Sequence, residues 1–142
     1  FGRLGITPEA CSTWFLPRIV GLQQAMEWMY SARIFDAAEA LDRKLVRAVC
    51  APEQLLGEAC AFARTLISER SPVSVALIRQ MMYRNSAAPS PLEAHRIESL
   101  AMFYSSIGDG KEGVQAFLDK RAPGFSARAS EMPPFFAPWS DT

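Results

Sequence analysis

The sequence predicts a mainly α-helical chain. Three observations carry this: apolar residues recur three or four apart through most of the 142 residues, helix-start patterns repeat, and only one short run alternates apolar with polar side chains. The start patterns are Thr7-Pro8-Glu9, Asp36-Ala37-Ala38-Glu39, Ser71-Pro72 and Ser90-Pro91-Leu92-Glu93. Each puts a short polar side chain where it can accept from the unpaired N–H groups of a first turn. In three of them Pro follows, at the one helical position where a missing N–H does no harm.

The first pattern predicts a helix from Pro8 toward Leu16, with Glu9 in its first turn and a break near Pro17. Residues 21–32 continue as a second helix with Leu22, Ala25, Met26 and Met29 on one stripe. Asp36 and Glu39 form a capping-box pattern that opens a short helix through Leu41. Leu45-Val46-Arg47-Ala48-Val49 predicts the single strand. After Pro52, residues 53–69 place Leu55, Ala59, Phe62, Ala63 and Leu66 on one stripe. Ser71 caps a helix carrying Val73, Leu77 and Met81, and Ser90 caps a longer one carrying Ile97, Leu100, Ala101, Tyr104 and Ile107. Asp109 and Gly110 separate this from a last helix, 111–121, predicted to turn Val114, Phe117 and Leu118 inward. From Ala122 the chain is rich in Pro and aromatics with no period, which predicts an extended tail packed on its own protein rather than a Pro-rich ligand. A lone buried strand leaves backbone groups unpaired, so its partner is expected from an upstream segment. The start at Phe1 rather than Met gives the same expectation of a piece of a longer protein.

Fifteen basic and fifteen acidic residues balance overall, and the balance holds in each half: eight of each in residues 1–71, seven of each in 72–142. A nucleic-acid partner needs a basic excess, and none exists. No apolar run approaches the ~20 residues of a membrane span, so no membrane partner is expected. Cys11, Cys50 and Cys60 are odd in number and lack metal-ligand spacing, which predicts buried or half-buried thiols in a reducing cytoplasm, no disulfide framework and no metal site.

Few groups offer chemistry. His95 is the single histidine and falls early on the helix that Ser90 caps. There is no nucleophile elbow and no Gly-rich phosphate loop, so no bound nucleotide cofactor is expected. Glu9 differs. In a first turn among Ile6, Ala10, Trp14, Phe15 and Leu16, a carboxylate feels a helix dipole that favours its charge and apolar burial that opposes it. Such a group can shuttle a proton near neutral pH, or simply complement the dipole.

Three blocks carry a resemblance. GITPEACSTWFLPRIVG, then FDAAEAL with LVRAV, then EGVQAFLDKRAPGF are similar, in order, to blocks in the C-terminal half of the crotonase superfamily, the enoyl-CoA hydratase/isomerase family. The resemblance implies an α/β fold of which this chain is the C-terminal portion, the spiral β-core being largely missing. On that reading residues 1–52 end the core, 53–121 form a helical oligomerisation region and 122–142 are the tail.

It also implies an acyl-CoA thioester substrate, with CoA belonging to the substrate so that no separate cofactor is needed. Two backbone N–H groups hold the thioester oxygen in this family, and both lie upstream of the matched blocks, which leads to an inactive isolated fragment. Glu9 matches the position where the Δ3,Δ2-enoyl-CoA isomerases of the family carry their catalytic glutamate. The hydratases have Gly there, and their downstream glutamate falls where this chain has Phe1. The isomerase branch is therefore the closer match, with a hydratase or a non-catalytic helical assembly module as alternatives. Pro8, Ala10 and Trp14 are expected to line the substrate beside Glu9, while Phe117 and Lys120 match positions that reach the CoA of an adjacent subunit. A homo-oligomer, trimer or hexamer, follows by the same resemblance. Lys44 departs from the pattern, which has Gly before Leu-Val; if that position has a positive φ, lysine adds strain.

Overall fold

The computed structural model describes residues 1–140. Asp141 and Thr142, the end of the predicted tail, lie outside the described residues. The described residues form α-helices and short 3-10 turns with no strand, in two compact units, Phe1–Leu56 and the residues from Gly57 on. None of these helices is long and apolar enough to cross a membrane.

The first unit opens with a 3-10 turn, Gly2–Leu4. The helix expected from Pro8 does not start there. Ala10 and Cys11 are left-handed, with φ of 54° and 56°, so no i→i−4 ladder can run back through them. Helix α1 is instead Ser12–Val20, and the N–H groups of Trp14 and Phe15 both return to the Cys11 carbonyl at 2.9 and 3.0 Å. Pro17 lies inside α1 rather than breaking it. The break comes at Gly21, whose φ of 83° and ψ of 155° suit glycine alone.

Helix α2, Leu22–Ser31, packs on α1 and buries Ala25 and Trp28. Phe35 stacks on the Trp28 ring, 4.2 Å between centroids. Asp36 caps α3, Ala37–Asp42, its Oδ1 accepting the Glu39 N–H at 2.8 Å as the capping pattern predicted. The strand expected at 45–49 is absent. The N–H of Leu45 donates to the Ala40 carbonyl at 2.8 Å, that of Val46 to the same oxygen at 3.3 Å, and that of Lys44 to Leu41 at 3.0 Å. These bonds close the end of α3 with Lys44 left-handed at φ 62°, the place a glycine normally takes. The alternating side chains of 45–49 have no partner strand among the described residues, and part of their backbone is already engaged with the helix end.

The 3-10 turn Pro52–Gln54 lies near the end of the first unit and leads into α4, Leu55–Ile67, most of which belongs to the second; none of its residues is buried. Its predicted apolar stripe is therefore outward: Leu55 and Leu66 are 62% and 53% exposed. Helix α5, Pro72–Asn85, and helix α6, Pro91–Ile107, are capped as expected. Ser71 Oγ accepts the Ser74 N–H at 3.3 Å and Ser90 Oγ that of Leu92 at 3.2 Å. They pack together on Val73, Leu77 and Ala101. Helix α7, Asp109–Leu118, takes up the predicted separators Asp109 and Gly110 as its own first turn. A side chain at Gly110 would put its Cβ 2.6 Å from the Ser105 carbonyl, so only glycine permits this approach to α6.

The inward stripe expected on α7 faces outward: Val114, Phe117 and Leu118 are 63%, 82% and 65% exposed, while Ala116 is buried. The small side of α7 receives the tail instead. A Cβ on Gly113 would lie 3.4 Å from the Phe125 ring, and Glu112 Oε1 accepts the Gly124 N–H at 2.7 Å. Beyond this contact, Met132, Phe135 and Phe136 pack on the α5–α6 core, and the tail forms a short helix, α8, Phe136–Ser140. The tail thus lies on its own protein, partly helical rather than extended throughout.

Candidate functional site

Glu9 stands three residues before α1, and its side chain is exposed. Neither environment expected of it, a first helical turn or apolar burial, is present. Its carboxylate takes no hydrogen bond or ion pair among the described residues. Its backbone is held firmly all the same, because Ser12 donates to the Glu9 carbonyl twice, from Oγ at 2.7 Å and from its N–H at 3.1 Å. The left-handed pair Ala10–Cys11 spans the turn between them.

The preceding residue, Pro8, lines an open groove of about 640 Å³ together with Ile6, Pro17, Met26, Met29 and Tyr30. That volume suits a small-molecule site, and the lining is mostly apolar. Of the residues expected beside Glu9, only Pro8 borders this groove. Ala10 is exposed within the left-handed turn. Trp14 is engaged elsewhere: its ring meets Phe15 edge-on at 4.7 Å, the Arg18 guanidinium lies 3.8 Å over it, and Arg18 Nη1 donates to its carbonyl at 2.9 Å.

Phe117 and Lys120 lie in the second unit, at the end of α7. The exposure of Phe117 rules out core packing within this chain. Lys120 is left-handed at φ 54° and closes α7 as Lys44 closes α3, with the Arg121 N–H donating to Ala116 at 3.0 Å. Arg121, its neighbour, is committed to Glu112 through two hydrogen bonds, Nη1 at 2.6 Å and Nη2 at 2.9 Å. That pairing, helped by the Gly124 N–H, holds the Glu112 carboxyl down at about 2 and raises the Arg121 guanidinium further above its ordinary value. Lys120 makes no ion pair among the described residues, so it is the available cation of the two.

Sequence reasoning missed a second carboxylate network. Glu39 accepts from Arg33 and from Trp28 Nε1, the latter at 2.8 Å, and its carboxyl is held down at about 2, chiefly by Arg33. The capping pattern accounted for Glu39 locally and gave no sign of Trp28, eleven residues earlier. Asp109 is a third case: Oδ1 accepts the Ala127 N–H at 3.3 Å, while its buried Oδ2 has no hydrogen-bond partner among the described residues. His95 is exposed on α6. Cys11 and Cys60 are exposed, contrary to the expected burial, and Cys50 is half-buried. Among the described residues no group of three or more His, Cys, Asp or Glu is placed to hold a metal.

Known proteins are similar to this chain in sequence and in fold. The enoyl-CoA hydratase/isomerase family model matches residues 1–128. An enoyl-CoA hydratase of Alternaria alternata, AFT3-1, is 36% identical over 135 residues, which cover 93% of this chain and 45% of the relative. A probable enoyl-CoA hydratase of Bacillus subtilis is 36% identical over 127 residues, 87% of this chain and 48% of the relative. Among solved structures, an enoyl-CoA hydratase of Bacillus anthracis superposes with a TM-score of 0.78 at 30% identity, covering 89% of this chain and 48% of that one. The chain spans a little under half the length of these relatives.

Proposed function

Because the chain belongs to the enoyl-CoA hydratase/isomerase family, we propose that it carries the proton-transfer residue of an enoyl-CoA isomerase, Glu9. One observation carries the isomerase reading: a single carboxylate follows Pro8, its backbone pinned by Ser12 and its chain neighbour lining an apolar groove. The Glu9 carboxylate takes a proton from C2 of a 3-enoyl thioester. The C2 electron pair delocalises toward the thioester oxygen and across C3 and C4, and the same proton returns at C4, leaving the double bond between C2 and C3. One carboxylate suffices for this shift, whereas addition of water calls on a second.

By the family resemblance, the two N–H donors that hold the thioester oxygen come from outside these residues, as does most of the β-core. The share of the relatives' length that the chain spans supports this. Residues 1–142 alone are then expected to show no turnover. Lys120, unpaired at the end of α7, and the exposed Phe117 beside it are proposed to meet the CoA of a neighbouring copy, in an assembly that covers the outward stripes of α4 and α7. A hydratase is the second reading, favoured by relatives named as an enoyl-CoA hydratase and a probable enoyl-CoA hydratase. Glu9→Gln in a polypeptide of full family length, assayed with a 3-enoyl-CoA, tests the isomerase reading: loss of the double-bond shift is expected, and retained activity overturns it.

A further inference from the structure

We infer that Ser12 is a positioning residue for proton transfer by Glu9, an inference that rests on the isomerase reading of that carboxylate. A proton-transfer group must be held within a fraction of an ångström, and a misplacement of about 1 Å can lower a rate ~10²-fold. An exposed glutamate without partners for its carboxylate has no side-chain restraint, so its aim depends on its backbone. At Glu9 the backbone is fixed on both sides. Pro8 precedes it with a rigid ring, and Ser12 holds its carbonyl through the Oγ–H at 2.7 Å and the N–H at 3.1 Å. Both donors converge on one oxygen, which ties the Glu9–Ala10 peptide to the start of α1.

The turn between Glu9 and Ser12 gives this anchor work to do. Ala10 and Cys11 are both left-handed without being glycine, a conformation that L side chains disfavour and that surrounding bonds must enforce. The Ser12 hydroxyl is the side-chain bond that closes the turn, and Ser12 is also the first residue of α1. It therefore couples the carboxylate-bearing residue to a rigid helix. Removing the hydroxyl leaves the N–H contact alone and allows the left-handed pair to relax, which swings the Glu9 Cα–Cβ bond away from its aim.

Shape-matched variants test this in a polypeptide of full family length, alongside Glu9→Gln. Ser12→Thr keeps the hydroxyl and Ser12→Val replaces it with a methyl at nearly the same volume. Ser12→Val is expected to lower kcat roughly 10- to 100-fold while KM for the 3-enoyl-CoA changes less than about twofold, and Ser12→Thr to restore most of kcat. Ser12→Ala, which removes the hydroxyl without adding bulk, is expected to follow Ser12→Val. Equal kcat in Thr, Ala and Val variants, with Glu9→Gln inactive, overturns the role of Ser12 and leaves the isomerase reading standing. Retained activity in Glu9→Gln overturns that reading instead. If Ser12→Val misfolds by circular dichroism, Ser12→Ala against Ser12→Thr decides the point.

Discussion

Trp28 donates its indole N–H to the Glu39 carboxylate at 2.8 Å, joining α2 to the first turn of α3. The carboxylate that a capping box would turn back on its own helix is instead directed at a buried ring and at Arg33. Trp28→Ala is expected to destabilise the chain by about 3–5 kcal/mol in denaturant titration, since it removes the largest buried side chain of the first unit. Trp28→Phe, which keeps an aromatic ring against Phe35 and loses the N–H with part of the ring area, should cost less. Equal losses would show that the hydrogen bond and not the ring holds α2 to α3.

Acid should loosen the tail. The Glu112 carboxyl lies near 2 in the folded chain against an ordinary 4.5, held down first by Arg121 and then by the Gly124 N–H. The folded state thus binds fewer protons than the unfolded chain between those values. The stability this contributes is fully present above about pH 5 and is lost as pH falls toward 2. Glu112→Gln should flatten this acid limb in thermal melts and speed amide exchange at Gly124. An unchanged pH slope in the variant would contradict the clasp.

The two left-handed lysines should separate structure from binding. Lys44→Gly and Lys120→Gly each relieve a strained φ and are expected to stabilise the chain by about 1 kcal/mol. Only Lys120→Gly should weaken binding of a CoA thioester by the full-length polypeptide, because Lys120 is the proposed contact. Equal affinities in both variants, measured by calorimetry, would remove Lys120 from the site.

The second unit depends on the α5–α6 core beneath the tail. Leu77 is 1% exposed, so Leu77→Ala should cost about 2–5 kcal/mol. It should also increase amide exchange at Met132, Phe135 and Phe136, which pack on that core. Leu66→Ala, on the outward stripe of α4, should change the stability of a monomer little.

What was legible in the sequence follows from which interactions are local. Asp36, Ser71 and Ser90 cap their helices as their patterns predicted, because a cap needs only the next three residues. The start of α1 was not legible: a left-handed Ala10–Cys11 carries no glycine to announce it. The alternation at 45–49 describes which faces a strand would show, not whether a partner exists to pair with it. On α7 the apolar stripe exists but faces outward, because Gly113 and Glu112 bind the tail on the other side, a contact that no local pattern announces. At the site, Glu9 was found through the block that contains it. Ser12 lies in the same block, but its part in the turn was not legible, since the sequence does not show that the hydroxyl folds back onto the Glu9 carbonyl.

The isomerase reading rests on Glu9 moving the proton of a double-bond shift. Its most direct measurement is the conversion of a 3-enoyl-CoA to the conjugated 2-enoyl-CoA by a full-length polypeptide carrying these residues, in the native form and with Glu9→Gln. Conjugation is followed by ultraviolet absorbance, and CoA thioester binding is measured in parallel. The expected result is isomerisation by the native form and a loss of at least ~10²-fold in Glu9→Gln, with binding retained. Equal isomerisation by the two forms, or water addition without isomerisation by the native form, would contradict it.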